Sequence, residues 1–375
     1  PLGVFLSSSI ESSTVLAIMS ELSPGNVNCF SISFPGHSVK EEEYTAYVIR
    51  HFNPQHHLLT ADGRAVGGAL VDLANHLDEP VADPSIISAY LLSCFARKQI
   101  KVAFSGEGGE ELFGRYPTFL GARVAEYYLK VPKVLRRQVS DRVRELLSVS
   151  SAPGPKGQLL RRYLTYAEEE PAVRHHAWFG MFSIEELDQL FTPQWARLHP
   201  SFGPIFSPLS RVLERARFDE VLTEMFYLDF RMHLEDNLLV KLDRTSTACS
   251  LEMRTPFLDH RLIEFVAGLP TNLKVRGFKG MYILRKAIEK WLPRKIVYGR
   301  KRGFTVPVTG WIRNELRPLV AEALDEEKVK RQGLFNTAFV EQLLQEHSTG
   351  HADHQKALWT LLCFQLWYDK WGGRG

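Results

Sequence analysis

Leu2 to Leu6 (LGVFL) form an apolar run that gives way at once to the serines Ser7, Ser8 and Ser9, then to Ile10, Glu11, Ser12 and Ser13. From there Val15, Leu16, Ile18 and Met19 recur at helical spacing. A buried strand, a tight polar turn and a helix is the reading this order imposes. Such a junction aims several backbone N–H groups and the positive end of a helix at one point, which makes it an anion site. Ser12 and Ser13 can cap the helix or donate to an anion. Glu11, set among those donors, either caps the helix or holds a cation that bridges to phosphate. A serine-rich N-cap with no ligand is the plain alternative.

The following hundred residues repeat the pattern. Asn26–Phe34 (NVNCFSISF), His56–Leu59 and Lys101–Phe104 are β-prone, and Glu41–Phe52, Arg64–Leu77 and Ser85–Arg97 carry helical spacing, the last capped by Ser85. Two polar loops, Asp78–Pro84 (DEPVADP) and Ser105–Gly114 (SGEGGEELFG), fall between these elements. Strands alternating with helices predict an α/β fold with a doubly wound parallel sheet, whose ligands sit beyond the carboxyl ends of the strands. After about Tyr116 the strand signals stop and amphipathic stretches take over, among them Leu213–Leu239, Leu258–Leu269, Tyr282–Trp291 and Ala357–Trp371, with Ser148–Gly157 as a flexible connector. The expected organisation is therefore an α/β core over residues 1–116 followed by an all-helical half, 117–375, packed on it.

Composition narrows the class. A net charge of +3 over 375 residues gives no global pull toward nucleic acid or a membrane surface. No signal peptide and no eighteen-residue apolar run is present, so a cytoplasmic location is the expectation. The cysteines Cys29, Cys94, Cys249 and Cys363 are far apart and form no CxxC pair, which predicts reduced core residues rather than metal ligands. The abrupt opening at Pro1, on a buried strand, suggests a fragment whose N-terminal part is missing.

Three carboxylates (Glu107, Glu110 and Glu111) lie among the glycines of Ser105–Glu111. Glycines let a backbone approach a ligand closely, and carboxylates on such a loop bind Mg²⁺ shared with substrate phosphates. Glu11 on the first loop would complete a two-loop clamp for a metal–nucleotide complex. Lys301, in the basic loop Arg300–Pro307, is either a cation that neutralises a departing phosphate or part of a solvated patch. Lys241, Asp243 and Arg244 sit amid apolar residues, as a structural network or as a clamp for a substrate carboxylate. The histidines, His56-His57 and His175-His176 included, lack metalloprotein spacing and read as packing or surface residues.

The segments GVF before LSSSIESS, then CFSISF, DEPVADPS, AFSGEGGEELFGRYP, LLVKLDRTS, SLEMRTPFLDHRL and KRGFTVP come in the order seen in glutamine-dependent asparagine synthetases. From Pro1 to about Trp371 the chain resembles their C-terminal synthetase domain, an N-type ATP pyrophosphatase with an adenine nucleotide alpha hydrolase-like fold. The resemblance implies a carbon–nitrogen ligase using ATP and Mg²⁺. It would adenylate the side chain of aspartate, release pyrophosphate, and let ammonia displace AMP. It implies that a glutaminase domain, which supplies ammonia in the family, is missing from this chain, and it leaves room for a homodimer. By motif, Leu6, Ser7, Ser12, Ser13, Ile32, Ser105 and Gly106 match nucleotide-binding positions. Glu107 matches an acid suited to take a proton from ammonia, Lys301 the lysine that steadies the phosphates, and Glu11 and Glu110 the metal-binding acids.

The departures are specific. Ser8 and Ser9 stand where the family has glycines, Glu11 and Glu110 where it has aspartates, and Met281 where relatives often place lysine, with Lys279 close by. If either glycine required a positive φ, serine would cost roughly 1–2 kcal/mol. A catalytically weakened nucleotide- or partner-binding relative, or an amide- or lactam-forming ligase with another carboxylate substrate, is the alternative reading.

Overall fold

The structure is a computed structural model that describes residues 1–25, 27–35, 39–136, 138, 142, 155–198, 206–299 and 306–372. The chain divides into two compact units, one made of Pro1–Arg115, Met232–Arg317 and Cys363–Gly375, the other of Tyr116–Arg231 and Pro318–Leu362. The α/β unit is thus assembled from three separate stretches of chain, the first ending at Arg115.

That unit is built on five parallel strands: β1 (Leu2–Phe5), β2 (Asn28–Ser33), β3 (Gln55–Thr60), β4 (Val102–Phe104) and β5 (Glu252–Arg254). Their order is β3-β2-β1-β4-β5. Gly3 pairs with Asn28 on one side and Ala103 on the other, and Val102 pairs with Glu252. β1 is central: Val4 is fully buried, as are its neighbours Cys29 and Phe30 of β2 and Ala103 of β4. Phe30, Leu92, Ala96, Ile100, Ala103 and Leu251 form one cluster against the sheet. The helices α1 (Ile10–Leu22), α2 (Val39–Phe52), α3 (Gly63–Leu73) and α4 (Ser85–Arg97) supply the crossovers.

From β1 the chain winds outward to β2 and β3, then returns to build β4 and β5 on the other side. The crevice between β1 and β4 is therefore the topological switch point, where a doubly wound sheet presents a ligand site. The loops that leave β1 and β4 flank it.

Several local expectations change. β5 lies far beyond Tyr116, where the strand signals end; it is only three residues long, Met253 between two exposed charges, and pairing with β4 decides its conformation rather than any local pattern. The α1 cap is Ser9, whose side chain accepts from the Ser12 N–H, not Ser12 or Ser13. Ser85 opens α4 rather than capping it, and Asp83 Oδ1 accepts its N–H at 2.9 Å. The span Leu213–Leu239 is not one helix: Ser207–Leu213 and Val221–Leu228 are separate, and Asp229–Leu239 winds as a π-helix.

Cys94 and Cys249 are joined in a disulfide, with Cα atoms 4.9 Å apart, so the reading of reduced cysteines fails for this pair. Their separation of 155 residues hides the pairing from any sequence pattern. Cys29 and Cys363 are free and buried.

The second unit is helical. Ala125, Tyr166, Ala177 and Trp178 form a core cluster with Tyr163 packed on it. A buried hydrogen bond between His175 Nε2 and Asp229 Oδ1, at 2.7 Å, sits beside Phe119 and Phe179. Phe191 and Phe335 close an isolated antiparallel bridge. Among the described residues no helix is long and apolar enough to cross a membrane.

Candidate functional site

The turn leaving β1 is a lattice of serines. Ser7 and Ser12 hydroxyls lie 3.0 Å apart, as do Ser9 and Ser12, and the Ser7 N–H donates to Ser12 Oγ at 3.2 Å. Ser13 Oγ donates to the Ser9 carbonyl at 2.7 Å and meets the Tyr44 hydroxyl at 3.3 Å. Ser12 and Ser13 are both buried. The strain anticipated for serine in place of glycine is absent. Ser9 holds φ −99°, an extended conformation any residue adopts, and Ser8 is not among the positive-φ residues. The first turn of α1 is therefore fixed by side chains that compete for its free N–H groups.

The second loop packs directly on this turn. A Cβ on Gly106 would lie 2.7 Å from the Ser12 backbone nitrogen, and one on Gly109 would lie 2.6 Å from Glu11 Cγ. Gly108, at φ +89°, faces Leu258. The glycines expected to admit a ligand thus serve first to bring the two loops together. Ser105 continues the sheet, its N–H donating to the Arg254 carbonyl at 2.9 Å, and its hydroxyl accepts from the Glu107 N–H at 3.4 Å. Leu6 is buried at the end of β1, where its N–H donates to the Phe30 carbonyl. Ile32 lies near the carboxyl end of β2, opposite Leu59. Leu6, Ser7, Ser12, Ser13, Ile32, Ser105 and Gly106 therefore gather at the carboxyl ends of adjacent strands, with Glu107 on the same loop as Ser105. Lys301 lies outside the described residues.

Glu11 and Glu110 also converge, though not on an open position. Arg115 Nη1 donates to both Glu11 carboxylate oxygens, at 3.0 and 2.9 Å, and Arg115 Nε lies 3.7 Å from Glu110 Oε1. Glu11 is 2% exposed and the Arg115 side chain 8%. A guanidinium thus occupies the point where the two acids were expected to hold Mg²⁺. As arranged, with both Glu11 oxygens engaged, this donor set does not fit a resident divalent ion, which needs carboxylate oxygens free for short, geometrically strict contacts. Among the described residues there is no group of three or more His, Cys, Asp or Glu side chains that could hold a metal.

Sequence reasoning missed Arg115, although it stands one residue beyond the glycine-rich loop, where an isolated cation beside three acids was the available signal. Its side chain also touches Met281 Sδ at 3.5 Å. Met281 is fully buried and holds a left-handed conformation, φ 59°, with its N–H on the Phe113 carbonyl. Burial draws the nearby Arg285 guanidinium below its ordinary value, and the Arg115 charge acts in the same direction. Burial pushes the Tyr44 hydroxyl up to about 12, its contact with the Ser13 hydroxyl notwithstanding.

Lys241 Nζ donates to Asp83 Oδ2 at 3.0 Å and Ser85 Oγ at 2.8 Å, and Arg244 forks onto both oxygens of Asp78. Of the two readings of VKLDR, these contacts favour the structural one: the helix Val240–Ala248 fastens the DEPVADPS loop beside β4.

The asparagine synthase family model matches residues 1–369. The chain is similar to a provisionally named glutamine-hydrolysing asparagine synthetase of Mycobacterium tuberculosis, with 30% identity over 98% of this chain and 54% of the relative. A glutamine-hydrolysing asparagine synthetase of Bacillus subtilis is 27% identical over 98% of this chain and 56% of its own length. A Gibberella zeae protein named amidase chry2 is 23% identical over 89% of this chain and 53% of its own. The chain thus spans about half the length of the curated relatives it matches. Taken with the five-stranded parallel sheet and the two loops that meet at its switch point, the match over residues 1–369 shows that the chain belongs to the asparagine synthase family.

Proposed function

We propose that the chain is the synthetase part of an ATP-dependent amide-forming ligase. It activates the side-chain carboxylate of aspartate as an acyl-adenylate, with release of pyrophosphate, and ammonia then displaces AMP to give asparagine. The observation that carries this reading is the seating of Gly106 and Gly109 on Glu11 and Ser12, which brings the β1 and β4 loops to one point at the switch of the sheet.

The polyphosphate chain of ATP, entering as its magnesium complex, lies against the Ser7–Ser13 turn, where N–H groups and hydroxyls converge. Leu6, Ile32, Ser105 and Gly106 surround the nucleoside and α-phosphate. A carboxylate attacking that phosphate meets an anion, so the site must supply positive charge in a water-poor space. Lys301 supplies it on the phosphates. Glu107 takes a proton from the attacking ammonia as the amide forms. A glutaminase domain, where one is joined to the chain, supplies the ammonia; the chain by itself uses free ammonia.

ATP–pyrophosphate exchange with purified protein, Mg²⁺ and aspartate tests the reading. Exchange that requires aspartate supports it, and ATP binding with no exchange for any amino acid sinks it. Lys301→Ala is expected to abolish exchange while leaving the thermal transition in place.

A further inference from the structure

Arg115 has no part in the reaction as proposed, yet its side chain is only 8% exposed at the two-loop junction. Its Nη1 serves both Glu11 oxygens, its Nε approaches Glu110, and that Nε is buried without a hydrogen-bond acceptor. A buried guanidinium with an idle donor is unusual, since such groups are ordinarily satisfied. It stands at the foot of α1, beside the loop that the N–H groups of Ser7 and Ser12 define. The same Nη1 also meets the thioether of Met281 at 3.5 Å, where an ammonium would crowd the guanidinium.

From this juxtaposition we infer that Arg115 is a resident cation of the phosphate site: it neutralises Glu11 and Glu110 in place of a protein-held divalent ion and offers its remaining donors to the polyphosphate. A guanidinium is suited to this, being permanently charged and forked to match carboxylate and phosphate oxygens together. The chain would then take up ATP without a metal bridge to its own carboxylates, and magnesium would enter only as a partner of the nucleotide. The methionine at position 281 belongs to the same arrangement, because a lysine there would set two cations in one enclosed space. The inference rests on the reading of this junction as an ATP site.

The test has two arms, each run on the wild-type chain, Arg115→Gln and Arg115→Lys, with thermal unfolding by circular dichroism to confirm folded protein. In the first, Mn²⁺ binding without nucleotide is followed by electron paramagnetic resonance. Wild type and Arg115→Lys are expected to show no saturable site, and Arg115→Gln to gain one at least about tenfold tighter than any residual binding. In the second, ATP affinity is measured by calorimetry in EDTA. Wild type is expected to bind, with Arg115→Gln weaker by about tenfold or more and Arg115→Lys intermediate. A saturable Mn²⁺ site in wild type that Glu11→Gln removes would overturn the inference, as would Arg115→Gln binding ATP in EDTA as well as wild type. The nucleotide-free arm decides the matter even if no aspartate-dependent exchange is found, so the two failures can be told apart.

Discussion

Lys241 holds its ammonium 3.0 Å from Asp83 Oδ2 and 2.8 Å from Ser85 Oγ, and is itself only 5% exposed. Burial alone would raise the Asp83 carboxyl, but Lys241 and the Ser85 donors hold it below the ordinary carboxylate range. Burial alone would lower Lys241, and Asp83, with Glu107 and Glu111, holds it above its ordinary range. The Asp83 contribution is present above its unfolded pKa and lost as pH falls through its lower folded value. The Lys241 contribution is present below its unfolded pKa and lost as pH rises through its higher folded value. The pair is thus fully stabilising between roughly pH 4 and pH 10. Lys241→Met is expected to cost about 3 kcal/mol at pH 7, the low end for a broken buried pair because Asp83 keeps some solvent. Urea unfolding across pH should show the difference from wild type shrinking outside that window.

Gly280 tests the packing that carries Met281. A Cβ there would meet the Gly114 carbonyl oxygen at 2.0 Å, and the atoms around it are backbone that cannot swing aside. Gly280→Ala is expected to destabilise by about 3 kcal/mol, as overpacking against an unyielding neighbour does. Gly310 has nothing within 4 Å of the same position. In its helix Val308–Arg313, Gly310→Ala should stabilise by about 0.5–1 kcal/mol. Chemical denaturation of the two variants compares them directly.

The disulfide predicts a measurable loop effect. Cys94 and Cys249 close 155 residues, so Cys249→Ser should lower stability by about 2–4 kcal/mol, and reduction of the wild type should do the same. Peptide mapping under non-reducing conditions should return the segments joined.

The remaining thiols should be silent. Burial pushes both Cys29 and Cys363 up to about 12, leaving almost no thiolate near neutral pH. A chromogenic disulfide reagent at pH 8 is expected to find neither in the folded chain and both after denaturation. Rapid reaction of either thiol in native protein would contradict the burial described.

Much of the α/β unit was legible because its signals are local. β1, β2, β3 and α4 announce themselves through apolar runs, β-branched residues and turn residues within a dozen positions. α4 runs over Ser85–Arg97, the span its periodicity gives. The strand Glu252–Arg254 was not legible, since a three-residue segment with one apolar side chain is a strand only when β4 lies beside it. The site divides in the same way. Its two loops, with Ser105, Gly106 and Glu11, could be read from serines, glycines and carboxylates following strands. The link from Arg115 to Glu11 spans 104 residues, and the one from Lys241 to Asp83 spans 158, so neither leaves a pattern in the chain. Ser9 exceeded Ser12 and Ser13 as the cap because position, not residue type, decides which serine side chain faces the free N–H groups.

β4 acquires its outer neighbour from a segment synthesised about 150 residues later. At 5–20 residues per second, the growing chain leaves that hydrogen-bonding edge uncovered for roughly 7–30 s. An uncovered strand edge is a template for pairing with another chain. The nascent protein therefore has a defined interval of vulnerability that ends when Glu252–Arg254 emerge and dock. Slowing translation through the stretch between the two strands would change how much protein reaches the native state without altering a single contact within it.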